Sequence, residues 1–277
     1  MVMHKMKQML SVEFRNCINR KEFKIIFLTL FFISIAAYLI ECFKFYGNNL
    51  SLVRSAYDSC IVKSTYSLFI ISAEVLLAPI LALPIYSDSY YTDCSCGAHK
   101  YILTRTNMRT YIASKGIVIF AVTFFTFFIP LLINQFLTLI AFPLKGYDSI
   151  FGNPLYFFYY NKEYLFDFIR LQWPYLFNLI WMFFLSLFAA LFALLGYSIY
   201  FIFKKNRISV LIGLYMFFIL SEVMLAMLGF YRLSLSEYML AATRGYPLMI
   251  LLWILVLLIP AIFIIATKGV NDEPDII

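Results

Sequence analysis

The stretch YLFNLIWMFFLSLFAALFALLGYSIYFIF, residues 175–203, contains no Asp, Glu, Lys or Arg. A helix that crosses a bilayer needs about 20 mostly apolar residues, so this run is long enough. The period-two alternation of a membrane barrel strand is missing. A helix, by contrast, satisfies its own backbone hydrogen bonds, as lipid demands. Working outward, five more runs qualify: residues 23–43, 66–86, 112–142, 208–230 and 247–267. Pro79 and Pro84 in the second run and Pro130 in the third each remove a backbone donor and are expected to bend their helices. The fold class is an all-α membrane protein with six transmembrane helices.

Composition agrees. Of 277 residues, 63% are hydrophobic and 13% charged, against about 45–50% and about 25% in soluble domains. One soluble core of this size could not hide so much apolar surface, with 31 Phe and 21 Tyr. Disorder is excluded by the same figures. The net charge of +7 does not imply nucleic acid, because the basic residues form short clusters between apolar runs. Five cysteines at irregular spacing describe no disulfide framework. Cys94 and Cys96, with only His4 and His99 in the chain, fall short of four zinc ligands at normal spacing.

Orientation follows from the loops. With the N-terminus inside, 14 of the 22 Lys and Arg lie on the inner side, which places both termini in the cytoplasm. The first run is read as a retained span because a long polar segment precedes it and five spans follow. Residues 1–22 are expected to form an amphipathic membrane-surface helix. Met6, Met9, Leu10, Phe14, Cys17 and Ile18 recur at three-to-four spacing, and Lys5, Lys7, Glu13, Arg15 and Asn16 are assigned to the other side. Residues 23–270 form the six-span domain and 271–277 an acidic tail. The aromatic-rich outer segment 146–173 is expected to anchor at the membrane boundary, or to cover an exit. Residues 231–246 are expected to dip back into the membrane.

No H-E-x-x-H, G-x-S-x-G or phosphate-binding loop is present, so no catalytic residue is expected and the chain cannot hydrolyse ATP alone. Carboxylates inside spans are costly and need a reason. Glu74 and Glu222 sit near the middles of their spans and either line a polar pathway or tie helices together. Glu41 lies near the outer end of the first span, within reach of water. Asn134, Gln135 and Asn178 are further pathway candidates, or hydrogen-bonded ties between helices.

The largest inner loop runs from Ser87 to Tyr111, with Lys115 opening the third span. It is polar, yet Tyr101, Ile102 and Leu103 give it an apolar side, as a short helix along the membrane would have. Asp88, Gly97, Leu103, Thr104, Arg109 and Lys115 resemble the acidic, Gly, Leu-Thr, Arg and Lys positions of the type-2 ABC transporter permease family. Thr106 stands where Pro is usual and Ala98 where Thr is usual. The layout is similar as well: an amphipathic N-terminal helix, six spans, inner termini and a re-entrant segment before the last span.

The resemblance implies a permease subunit of an ATP-driven ABC exporter. A cytoplasmic coupling helix carrying Tyr101, Leu103, Arg105, Asn107 and Arg109 would dock on an ABC ATP-binding subunit, present in two copies. ATP and Mg would be bound there and not by this chain. Six spans are half a translocation unit, so a second permease copy or a sister permease is implied. The spans suit an amphipathic or apolar cargo: a peptide or lantibiotic, a drug or a lipid. The abundance of Phe, Tyr, Ile and Lys fits an AT-rich bacterial genome and hence a bacterial cell membrane. An ATP-independent immunity or binding protein, and a lipid-acting membrane enzyme, are the alternatives.

Overall fold

A computed structural model describes residues 2–49, 53–144, 160–203, 207–241 and 244–269. The acidic tail and the aromatic run Tyr156–Tyr159 lie outside the described residues. The described chain is helical, with one isolated antiparallel bridge between Tyr164 and Arg244. Ten α-helices follow in order: α1 (Val2–Asn19), α2 (Lys21–Phe45), α3 (Leu68–Tyr86), α4 (Ser89–Ser95), α5 (Ala98–Leu103), α6 (Met108–Ala141), α7 (Asp167–Gln172), α8 (Pro174–Ile199), α9 (Arg207–Met227) and α10 (Pro247–Ile264). Six helical segments are long and apolar enough to cross a membrane, and they coincide with the six runs read from the sequence.

Helix α8 is the central post. It packs against α3, α6, α7, α9 and α10, and 67% of its spanning window is buried, against 17% for α9 and 22% for α10. Its sequence explains this placement. Ala189, Ala190, Ala193 and Gly196 are buried and let neighbours approach closely. At Gly196 an added Cβ would lie 3.1 Å from the Leu83 side chain of α3. The outward faces of α9 and α10 carry Ile212, Leu220, Leu251 and Ile259, all exposed and apolar, as a lipid-facing surface requires.

Two helices exceed the bilayer. Helix α6 has 34 residues, about 51 Å at 1.5 Å per residue, against a hydrocarbon core of about 30 Å. It remains one helix through Pro130. Helix α3 continues through Ser87 and Asp88 into α4, so the second span runs to Ser95. The segment expected to be an inner loop is therefore mostly helix. Gly97, at φ 70°, makes the turn from α4 to α5, a conformation that favours glycine. We call the end of the bundle holding α1, α4, α5 and the start of α6 the basal end.

Helix α1 does not stand apart. It packs on α6 and α2, burying Met9, Glu13 and Cys17. This corrects the assignment of Glu13 to the polar side. Glu13 is four residues from both Met9 and Cys17, so it lies on their face of the helix.

At the other end, residues 53–67 fold down between the helices, with Ala56, Cys60, Ile61 and Val62 buried. Between α9 and α10, two 3-10 turns (Tyr231–Leu233 and Ser236–Met239) fold back, the second onto α8 and α3, and bury Leu235, Tyr238 and Met239.

Candidate functional site

The basal end holds a buried ionic cluster. Lys115 Nζ lies 3.0 Å from Glu13 Oε2 and 2.9 Å from Asp93 Oδ2, and the Lys115 and Glu13 side chains are each 1% exposed. Tyr86 donates to Glu13 at 2.6 Å and Tyr111 donates to Asp93 at 2.6 Å. The Lys115 ammonium also lies 5.2 and 5.1 Å from the Tyr86 and Tyr111 ring centres. A buried ammonium is tolerable only when paired and hydrogen-bonded, and this one has both kinds of neighbour.

Beside it, Asp88 joins two arginines. Arg20 Nη1 lies 2.5 Å from Oδ1, and Arg207 Nη1 lies 3.0 Å from Oδ2. Arg207 also donates to Thr92 at 2.8 Å. Asp88 and Asp93 thus tie the α3–α4 segment to the α1–α2 junction, to α6 and to the start of α9. Cys17, on the same face of α1 as Glu13, is fully buried, and burial pushes its thiol up to about 12 against a partial opposing pull from Arg20.

The α5 segment hangs from this cluster. Ile102 and Leu103 pack against the core, whereas Tyr101 is 80% exposed. Lys100, Arg105, Asn107 and Arg109 are exposed too. Lys100, Arg105 and Arg109 form no ion pair among the described residues, while Glu13, Asp88 and Asp93 are all engaged internally. The surface around α5 is therefore left positive. A groove of about 610 Å³ separates α1 from this segment, lined by Met9, Val12, Asn16, Tyr101, Ile102 and Arg105 among others. Of the five docking residues read from the sequence, four face outward and Leu103 anchors the segment.

The pathway candidates do not gather in one place. Asn134, Gln135 and Asn178 meet at the end opposite the basal one, where they hold residues 53–67. Asn134 accepts from the Ile61 N–H at 2.9 Å and donates to the Ser34 carbonyl at 2.8 Å. Asn178 donates to the Tyr57 carbonyl at 2.9 Å and to Gln135 Oε1 at 2.8 Å. Glu41, expected within reach of water, is instead fully buried and accepts a hydrogen bond from Ser64.

Glu222 stands elsewhere. It accepts from the Ser236 N–H at 3.1 Å and from the Ser236 hydroxyl, and so holds the turn at Ser236–Met239. Burial and the neighbouring Glu222 charge push Glu237 above the usual carboxylate range. Glu74 is 3% exposed, and its Oε2 has no hydrogen-bond partner among the described residues.

Sequence reasoning missed Glu13, Tyr86, Asp93 and Tyr111 as partners of Lys115. One signal was available: Glu13 interrupts the apolar stripe of α1 at the spacing of a buried position. Comparison with protein-family models, curated proteins and solved structures returned no match.

Proposed function

We propose that this chain is the permease subunit of an ATP-driven exporter of the ABC type-2 class, and that α5 is its coupling helix. The observation that carries this reading is the basal surface: exposed Lys100 and Tyr101 on the short helix α5, with Arg105 and Arg109 exposed just beyond it, beside acids that are internally neutralised. Such a surface fits an acidic-rimmed partner with an apolar floor. The partner is an ATP-binding subunit, in two copies, that holds ATP and Mg. A force on α5 has a rigid route into the bundle, because α4, α1, α6 and α9 are joined through Asp88 and Asp93.

The basal end faces the cytoplasm of a bacterial cell, since most Lys and Arg flank the spans on that side. A second permease copy completes the translocation unit. The cargo is amphipathic or apolar, a peptide, drug or lipid, in keeping with spans poor in charge.

Co-expression with a neighbouring ATPase gene and pull-down tests the reading. Tyr101→Asp with Arg105→Glu should abolish co-purification and cargo-stimulated ATP hydrolysis while leaving the chain folded. Undiminished association in that variant refutes the coupling assignment. Full cargo resistance in cells lacking the ATPase points instead to a binding or immunity protein that works without ATP.

A further inference from the structure

The cleft between α6 and α10 differs from the basal surface just described. It has a volume of about 440 Å³, and every side chain that lines it is apolar, among them Ile112, Ile117, Phe120, Leu194, Leu258 and Ile262. On α6 the lining residues from Ile112 to Ala121 follow one helical face, with Ala113, Gly116, Ile117 and Phe120 between them. That length is about 13 Å of helix, close to the half-thickness of the hydrocarbon core. The cleft therefore spans about one leaflet.

Two cations follow just beyond the basal lining residues along their helices. Arg109 precedes Ile112 by three residues on the same α6 face, and Lys268 follows the lining residue Ile265 by three. Both are exposed, and neither forms an ion pair among the described residues. An apolar cleft of leaflet depth with a two-cation rim at the polar boundary is complementary to one kind of molecule.

We propose that the α6–α10 cleft binds an anionic phospholipid, with an acyl chain along Ile112–Ala121 and the phosphate between Arg109 and Lys268. The charge complementarity of the rim selects an acidic headgroup over a zwitterionic one. Arg109 is thereby assigned mainly to lipid, while Tyr101 and Arg105 carry docking. The site needs no ATPase, so it stands or falls apart from the exporter reading.

The experiment is native mass spectrometry of the purified full chain in detergent. Phosphatidylglycerol and phosphatidylcholine with identical acyl chains are added in turn. The native chain should retain phosphatidylglycerol about thirtyfold more than phosphatidylcholine, as two favourable headgroup cations at about 1 kcal/mol each imply. Arg109→Gln with Lys268→Gln should bring that ratio to about one. Ala113→Phe with Ala121→Phe, which fills the cleft without emptying any packed position, should lower retention of both lipids.

Should the double charge variant fail to run as a single species in size exclusion, Lys268→Gln alone keeps the test. It lies at an exposed helix end and should reduce the ratio about fivefold. Equal retention of the two lipids by the native chain overturns the proposal. So does an unchanged ratio in the charge variants, or unchanged retention in the filled one.

Discussion

Glu13 and Lys115 are 102 residues apart in the chain, yet their side chains meet at 3.0 Å in a site shut off from solvent. The contact fastens the N-terminal helix to the start of α6. Removing one member of a buried ion pair leaves the other charge uncompensated, which costs about 3–5 kcal/mol. Lys115→Met should therefore lower the thermal unfolding midpoint sharply in detergent, because it strands both Glu13 and Asp93. Glu13→Leu combined with Lys115→Met should cost less than the sum of the two single changes. Additive costs would show that the two side chains do not interact.

Asp88 is the second fastening point, and its loss should be milder. Arg207 is 46% exposed, so water already competes for its guanidinium. Asp88→Asn keeps the side-chain volume and removes the charge that both arginines share. The expected cost is about 1–2 kcal/mol, less than for Lys115→Met. High salt should narrow the gap between Asp88→Asn and the native chain, since a partly exposed pair is screened. Identical unfolding midpoints for the two proteins at low salt would rule out a stabilising role for Asp88.

The difference between these residues and the spans explains what the sequence could disclose. Spans are dictated by the lipid: a run such as residues 175–203 must be helical wherever it sits in the bundle. The six spans were legible for that reason, within a few residues at each end except for the second, which runs nine residues further than read, to Ser95. Charged partners are set by tertiary packing, and Glu13 finds Lys115 only once α1 lies on α6. Glu13 was assigned to the polar side, although its four-residue spacing from Met9 and Cys17 marks the apolar face; its burial was readable there, its partner was not. The amides illustrate the opposite limit. Asn134, Gln135 and Asn178 were identifiable as intramembrane polar groups, but nothing local in the sequence shows that residues 53–67 fold down to meet them.

The clasp on residues 53–67 yields its own expectation. Asn134 is the side chain that holds the Ile61 N–H, and Cys60 immediately precedes Ile61 with no exposure to solvent. Asn134→Ala leaves the buried Ile61 N–H short of a partner, at a cost of about 1–3 kcal/mol. Local opening of residues 53–67 should become more frequent as a result. Maleimide labelling of Cys60, followed by peptide mass spectrometry, should rise severalfold in Asn134→Ala while exposed Cys96 labels equally in both proteins. If Cys60 labelling stays flat, Asn134 is not the clasp of that segment.

The buried thiols also set an alkaline limit. Burial pushes Cys17 and Cys60 up to about 12, from an ordinary value near 9. Between those values the unfolded chain has released each thiol proton and the folded chain still holds it. The folded state then binds more protons, so stability falls as pH rises through this window and is unaffected below about pH 9. Each such thiol contributes at most about 1.4 kcal/mol per pH unit to the decline. Replacing both by alanine should flatten the slope of unfolding midpoint against pH between 9 and 12, even if packing losses lower the midpoint at neutral pH. A slope unchanged by the double replacement would mean that both thiols ionise in the folded chain as freely as in the unfolded one, and the dry packing of α1 against the bundle and of residues 53–67 within it would have to be abandoned.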